Sequence, residues 1–324
     1  MKRNLVWAAL GAVALLSSCA GLAGVKERTA EQTHPPLGRF VEVDGTRVHV
    51  WVEGSGPDLV LIHGAGGNLR DFTFDLAKRL TSRYRVIAFD RPGLGYTERL
   101  PGYGGVGSTE GESPREQAAL LQKAAAQVGV RRPVVVGHSF GGAVALAWGL
   151  NAPRDTSALV LLAGVSNPWP GDLGTFYNVT GTALGGATAV PVITALASEE
   201  RIERSIEGTF APQSAPDGYS EYLGPGLTLR RETLRANGQQ VLGLRPHIVE
   251  MSKQYRDTLR MPVEIVHGDT DSTVPLDVHS IPLSKQLRRG NLTVLDGVGH
   301  MPHHVRPEAT VAAIDRAASR AGLR

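Results

Sequence analysis

The sequence predicts an α/β protein with a mostly parallel central sheet, helices on both faces and an inserted, mainly helical cap. Short apolar runs that end at glycine or a polar residue recur along the chain, and helix-like stretches separate most of them. One interval breaks this alternation. Between the run ending near Gly164 and the run starting at Val263 lie roughly a hundred residues, against connections of about 2 to 6 in ordinary α/β units. With 324 residues, 42% of them hydrophobic, the chain can bury one large core, or a core with an inserted subdomain, without disulfide or metal staples.

The first eighteen residues carry Lys2 and Arg3, then an apolar run from Leu5 to Leu16, then small residues. A run of that length falls short of the roughly 20 residues that span a bilayer and suits a secretory leader. Its end, Leu16-Ser17-Ser18-Cys19, resembles the lipobox of bacterial lipoproteins, which implies lipidation of Cys19, the single cysteine of the chain. Lipidation also accounts for a thiol that has no internal disulfide partner in an exported protein. With Ala20 at the following position the same resemblance implies an outer-membrane anchor, so the expectation is a cell-envelope protein held to the membrane through Cys19. Residues 20–38 are polar and aperiodic with Pro35 and Pro36 near their end, and are expected to form a tether rather than a packed element.

From Phe40 to Val52 valines alternate around Asp44-Gly45, a hairpin signal, since this dipeptide tolerates the positive φ angles of a tight primed turn. Strands follow at DLVLIHG (58–64), YRVIAFD (84–90), PVVVGHS (133–139), ALVLLAG (158–164), VEIVHG (263–268) and LTVLDG (292–297). Ser113, Pro114 and Glu116 form a capping-box helix start, and Ala118, Leu121, Ala125 and Val128 then share one face. In the long interval, Leu227–Arg260 has helical spacing and Asn178–Ala197 is small and apolar with expected breaks at Gly185 and Gly186. The chain thus divides into a leader (1–18), a lipidated tether (19–38), a first core segment (39–166), the cap (167–260) and a second core segment (261–324).

Gly137, Ser139 and Gly141 form G-x-S-x-G between a strand and a helix-like run. A turn of that kind lifts a serine hydroxyl above a sheet edge in a strained backbone state, and the glycines avoid clashes. A serine is a weak nucleophile until a base, itself oriented by a third group, takes its proton. Asp269 and Asp271 follow one later strand, and His300, His303 and His304 follow the next. Spacing alone leaves the choice among them open.

HGAGG (63–67), DRPGLGYTE (90–98), HGDTDSTVP (267–275) and GVGHMPHHVRPE (297–308) together resemble the motifs of the α/β-hydrolase family, and the resemblance covers residues 39–324. Thr97 stands where the family's second motif has serine. The resemblance implies Ser139 as nucleophile, Asp271 as acid and His300 as base, with the amides of Ala65 and Phe140 as oxyanion hole. Asp269 then becomes a turn residue. His303 and His304 are expected to be solvated or to line the mouth of the site, His63, His138 and His267 to position loops, and Asp90 to turn the loop after its strand. The implied function is hydrolysis of a small-molecule carboxylic ester. Cofactor-free perhydrolase (haloperoxidase) or carbon–carbon bond hydrolase chemistry, and more remotely a non-catalytic envelope binding protein, are the alternatives. Trp169, Phe176, Tyr177 and Phe210 are candidates for the cap's contribution to an apolar site. No metal or organic cofactor is expected, because the adjacent His303 and His304 lack the spacing of paired ligands on a helix. The formal charge of +3, or +1 without Lys2 and Arg3, gives no case for nucleic-acid binding.

Overall fold

All eight expected strands form, and they lie in one sheet. The computed structural model describes residues 2–105, 107–171 and 173–324; the side chains of residues 2–6, 8–16 and Glu199 lie outside the description. Strands β1 (Arg39–Val43) and β2 (Thr46–Glu53) make the hairpin, with Asp44 (φ 49°) and Gly45 (φ 79°) as the two turn residues. The primed turn matches the right-handed twist of its strands. Then follow β3 (Asp58–Ile62), β4 (Arg85–Phe89), β5 (Val134–His138), β6 (Ala158–Leu162), β7 (Val263–Gly268) and β8 (Gly290–Leu295). Their spatial order is β1-β2-β4-β3-β5-β6-β7-β8, with antiparallel pairing at β1/β2 and β2/β4 and parallel pairing elsewhere.

The central strands are apolar on both faces because both are covered. Val60, Ile62, Val135 and Leu159 pack into one core, whereas Leu59, Leu61, Val134, Val136 and Val160 pack into another. Alternate residues of a strand point to opposite faces, so a continuous apolar run feeds two cores at once. Beyond α1 (Lys2–Thr33), the helices of the first core segment are α2 (Arg70–Thr73), α3 (Leu76–Leu80), α4 (Pro114–Gln127) and α5 (Phe140–Asn151). The capping box at Ser113 is complete, and Ala118, Leu121, Ala125 and Val128 are buried.

Between β6 and β7 lie α6 (Thr175–Thr180), α7 (Ala183–Leu196), α8 (Glu199–Phe210), α9 (Tyr219–Leu223), α10 (Pro225–Thr228), α11 (Arg231–Leu242), α12 (Leu244–Ser252) and α13 (Tyr255–Thr258). The expected breaks at Gly185 and Gly186 do not occur, since α7 runs through both. These glycines serve close packing: a Cβ at Gly185 would lie 2.0 Å from the carbonyl oxygen of Val179 and one at Gly186 2.4 Å from Arg235 Nε. After β7 come α14 (Ser280–Gln286), α15 (Pro302–Val305) and α16 (Pro307–Arg320).

The tether expectation is corrected as well. Residues 20–33 continue α1, and this helix packs along α7 of the cap. Cys19 and Ala23 are buried against Ala195, Glu27 pairs with Arg231 at 2.8 Å, and Glu31 pairs with Arg230 at 2.9 Å. The stretch looked aperiodic because it buries small residues and binds through its charges, neither of which leaves an apolar stripe. Of the apolar run Leu5–Leu16, only the Trp7 side chain lies within the described residues, and among those residues no helix is long and apolar enough to cross a membrane.

Candidate active site

The sheet reverses its winding between β3 and β5. The loops leaving those strands diverge at that point, and a crevice opens at the carboxyl ends where an α/β sheet carries its ligands. The HGAGG loop follows β3 and Ser139 follows β5.

Ser139 has φ 52° and ψ −119°, a conformation that a non-glycine residue holds only under constraint. Its amide donates to the carbonyl of Leu162 at 3.0 Å, and its own carbonyl accepts from the amide of Val165 at 3.0 Å. The motif glycines are needed for space: a Cβ at Gly137 would lie 2.1 Å from the Gly141 carbonyl oxygen, and one at Gly141 2.1 Å from that of Ile62. Helix α5 begins at Phe140, whose amide, in the first helical position, is one that the helix's own ladder leaves without an acceptor. The Phe140 ring is buried beneath the guanidinium of Arg91, 3.9 Å from its centroid.

The loop after β8 carries His300, whose Nδ1 donates to Asp271 Oδ2 at 2.7 Å. Asp271 follows β7 and is fixed by its own loop, with Oδ1 accepting from the amides of Thr273 (2.8 Å) and Val274 (2.9 Å). His267 donates to Oδ2 as well, at 3.1 Å. Burial alone would raise the pKa of Asp271, but the hydrogen bonds from His267 and His300 hold it well below the ordinary carboxylate value. Asp269 sits elsewhere, exposed, with Oδ1 accepting from the amide of Gly297 at 2.8 Å. Asp90 accepts from the amides of Leu69 and Tyr96, each at 2.7 Å, and so holds the loop after β4.

Behind the HGAGG loop, His63 Nδ1 and Arg91 Nη1 both donate to the Gly64 carbonyl at 2.9 Å. Burial first, then the charge of Arg91, push the His63 pKa down to about 4, so the ring is neutral and its Nε2 accepts from the Arg91 amide at 3.0 Å. The loop is tied to the cap through Gly66, whose amide donates to Asn237 Oδ1 at 2.7 Å. Arg91 and Asn237 escaped the sequence reading. The first lay in plain sight inside DRPG, but nothing in the sequence tells which carbonyl a buried arginine will find.

A cavity of about 400 Å³ brings Ala65, Ser139 and His300 together beneath the cap, which lines it with Phe176, Tyr177, Ile193, Ile202, Leu229 and Leu234. Of the four aromatic candidates, Phe176 and Tyr177 line this cavity. Trp169 packs against the main core, and Phe210 is buried in a small cluster with Tyr219, Leu223 and Met301.

His303 and His304 are neither solvated nor among the residues that line the cavity, contrary to expectation. Both are buried on Asp71, a residue that the sequence reading passed over. His304 Nε2 donates to Asp71 Oδ1 at 2.8 Å, and His303 Nε2 lies 3.2 and 3.3 Å from the two carboxylate oxygens. Tyr219 donates to Oδ1 at 2.8 Å, and His138 Nδ1 stands 3.8 Å from Oδ2. The other ring nitrogen of His138 donates to the carbonyl of His300 at 2.9 Å, linking the residue before the serine to the backbone of the histidine. Burial opposes ionisation of Asp71, yet the charge and hydrogen bond of His303, with those of His304, hold its pKa well below the usual range. Burial, with the neighbouring His303 and His300, pushes that of His138 well down.

The family model described as the alpha/beta hydrolase family matches residues 59–313. The chain is 26% identical over 282 residues to a 2-hydroxymuconate semialdehyde hydrolase of Pseudomonas putida, covering 84% of this chain and 90% of that protein. Its fold is similar to that of an esterase from Thermogutta terrifontis (TM-score 0.68, 17% identity, 88% and 99% of the two chains). A bacterial membrane phospholipase A is similar over 98% of this chain and 99% of its own, with a TM-score of 0.66 and 23% identity.

Proposed function

The chain belongs to the alpha/beta hydrolase family, and from that premise we propose that it is a serine hydrolase that cleaves carboxylic esters through an acyl-enzyme. The observation that carries this reading is the delivery of Ser139, at its constrained turn, into the cavity that also receives the Asp271-bound imidazole of His300. His300 takes the hydroxyl proton of Ser139 as its oxygen attacks the acyl carbonyl, and Asp271 fixes the tautomer and stabilises the imidazolium. The oxyanion is received by the amides of Ala65 and Phe140, each such donor being worth about 2.7 to 4 kcal/mol in the transition state. The proton then passes from His300 to the departing alkoxide, which leaves as the alcohol. Water, deprotonated by the same base, releases the acid and restores Ser139. A cavity of about 400 Å³ with aliphatic and aromatic cap walls suits a small to medium apolar acyl group.

A fluorophosphonate probe tests the reading: it should label the wild-type chain and leave Ser139→Ala blank. A folded wild-type chain that resists labelling would sink the enzyme hypothesis in favour of a non-catalytic binding protein. The similarity to the semialdehyde hydrolase favours a second reading, carbon–carbon bond hydrolysis on the same triad. Nitrophenyl esters of rising chain length assayed beside a ring-cleavage product separate the two by their kcat/KM values.

The envelope location belongs to the same proposal. The leader pattern ending at Cys19 supports a lipid anchor, preferentially in an outer membrane, and α1 docking on the cap would put that anchor beside α7. Cys19→Ser should move the protein from the membrane to the soluble fraction; retention at the membrane would remove Cys19 from the reading.

A further inference from the structure

Asp71, His138 and His303 form a buried cluster next to Ser139 for which ester hydrolysis has no use. We propose that these three residues bind a divalent transition-metal ion of the Zn²⁺ class, with one coordination position open to the substrate cavity.

The hydrogen-bond roles make the first point. His138 Nε2 contacts the carbonyl oxygen of His300, which can only accept, so the proton of the neutral ring sits on Nε2 and Nδ1 presents a lone pair. That lone pair faces another acceptor, Asp71 Oδ2, 3.8 Å away. Two acceptors opposed in a buried site call for a positive centre between them. Among the described residues no lysine or arginine pairs with Asp71, and only imidazoles and a phenol surround its carboxylate.

Geometry and the surrounding contacts agree. The three donor atoms lie within 4.8 Å of one another, with Asp71 Oδ2 at 3.3 Å from His303 Nε2 and 3.8 Å from His138 Nδ1. Bonds of about 2.0 to 2.1 Å to a tetrahedral zinc separate neighbouring ligand atoms by roughly 3.3 to 3.4 Å, so the Asp71–His303 pair already has that spacing and His138 closes the site by moving inward. Outer contacts hold the ligands as metal sites require: the His300 carbonyl orients His138, while Tyr219 and His304 grip the other oxygen of Asp71. Two imidazoles and one carboxylate suit Zn²⁺ better than the oxygen-seeking Mg²⁺ or Ca²⁺. Asp71 and His138 line the cavity that holds Ser139, so the fourth position opens to it. An ion there gives a ligand's anionic group a fixed docking point one residue from the nucleophile.

The test reads metal content, independently of any hydrolytic activity. The full chain is stripped with chelator, equilibrated by dialysis with ZnCl₂ and assayed for zinc by mass spectrometry. About one zinc per chain is expected. Asp71→Asn and His303→Gln should weaken retention at least about tenfold, whereas Asp271→Asn, which alters the neighbouring imidazole–carboxylate pair, should retain it. No retained zinc, equal retention in all variants, or loss confined to Asp271→Asn overturns the proposal. Should the variants misfold by circular dichroism, Co²⁺ loading of the wild type decides. Intense visible bands of a four-coordinate ion are expected; weak octahedral bands or none overturn the site.

Discussion

Asp271 and Asp71 each hold histidines from the segment that follows β8, His300 in one case and His303 with His304 in the other. Their supports differ. Asp271 is gripped by amides two and three residues along its own loop, Thr273 and Val274, before any side chain reaches it. Asp71 is held by side chains from far along the sequence, with Tyr219 at a separation of 148 residues and His304 at 233. A carboxylate fixed by local amides keeps its place whatever happens to its imidazoles, as a positioning acid must. A carboxylate held only by distant side chains depends on core and cap packing together.

The largest expected effect follows from the first assembly. Asp271→Asn should lower kcat/KM on a short-chain nitrophenyl ester by roughly 10⁴-fold through the wrong tautomer of His300. Asp71→Asn, by contrast, should leave kcat/KM within about tenfold of wild type. Equal losses would erase the functional distinction between the two carboxylates.

Acid should act on both sides alike. His63 lies within electrostatic reach of Asp71, and His279, on the same connection between β7 and α14 as Asp271, lies within reach of Asp271. Burial lowers both from the ordinary 6.5 to about 4, with the charge of Arg91 adding to the first and that of His267 to the second. A histidine with a lowered folded pKa binds its proton more readily when unfolded, so its contribution to stability is complete above pH 6.5 and falls away as pH drops toward 4. The unfolding free energy measured in urea should therefore decline across that window, by on the order of 3 kcal/mol for His63 alone. A flat profile from pH 7 to 4 would contradict the neutral-ring assignments. Below that range the lowered pKa values of Asp71 and Asp271 take over, and their stabilisation is lost as the carboxylates are protonated.

Smaller still is the expected stability cost of Asp71→Asn, about 1 to 3 kcal/mol, read from urea unfolding at pH 7. It weakens bonds to two imidazoles and a phenol. Asp269→Asn marks the lower end, because that exposed side chain meets only the amide of Gly297. Stability within about 0.5 kcal/mol and unaltered ester turnover are expected; a large loss of turnover would make Asp269 the acid after all.

The central strands were legible because a parallel strand covered on both faces is apolar along most of its length, and the hairpin because Asp44-Gly45 meets a backbone demand that few dipeptides meet. The loops carrying Ser139, Asp271 and His300 were legible as motifs, and the Asp271 loop is fixed by amides two and three residues along it, whereas the Ser139 turn is also held by Leu162 and Val165. Helix α1 and the continuity of α7 were not legible. Polarity and glycine argue locally for a tether and for breaks, and only the apposed surfaces of the cap explain why neither occurs.

By itself, then, the sequence determined the eight strands, the glycines that the Ser139 turn requires and the loops that carry Asp271 and His300, because each leaves a local mark in apolar runs or turn residues. Tertiary structure alone decided that Phe176 and Tyr177 line the cavity while Phe210 does not, and that Arg91 lies behind the HGAGG loop. It also buried Asp71 among His138, His303 and His304. Those outcomes depend on how elements far apart in the chain pack, and no local pattern records which side chains such packing brings face to face.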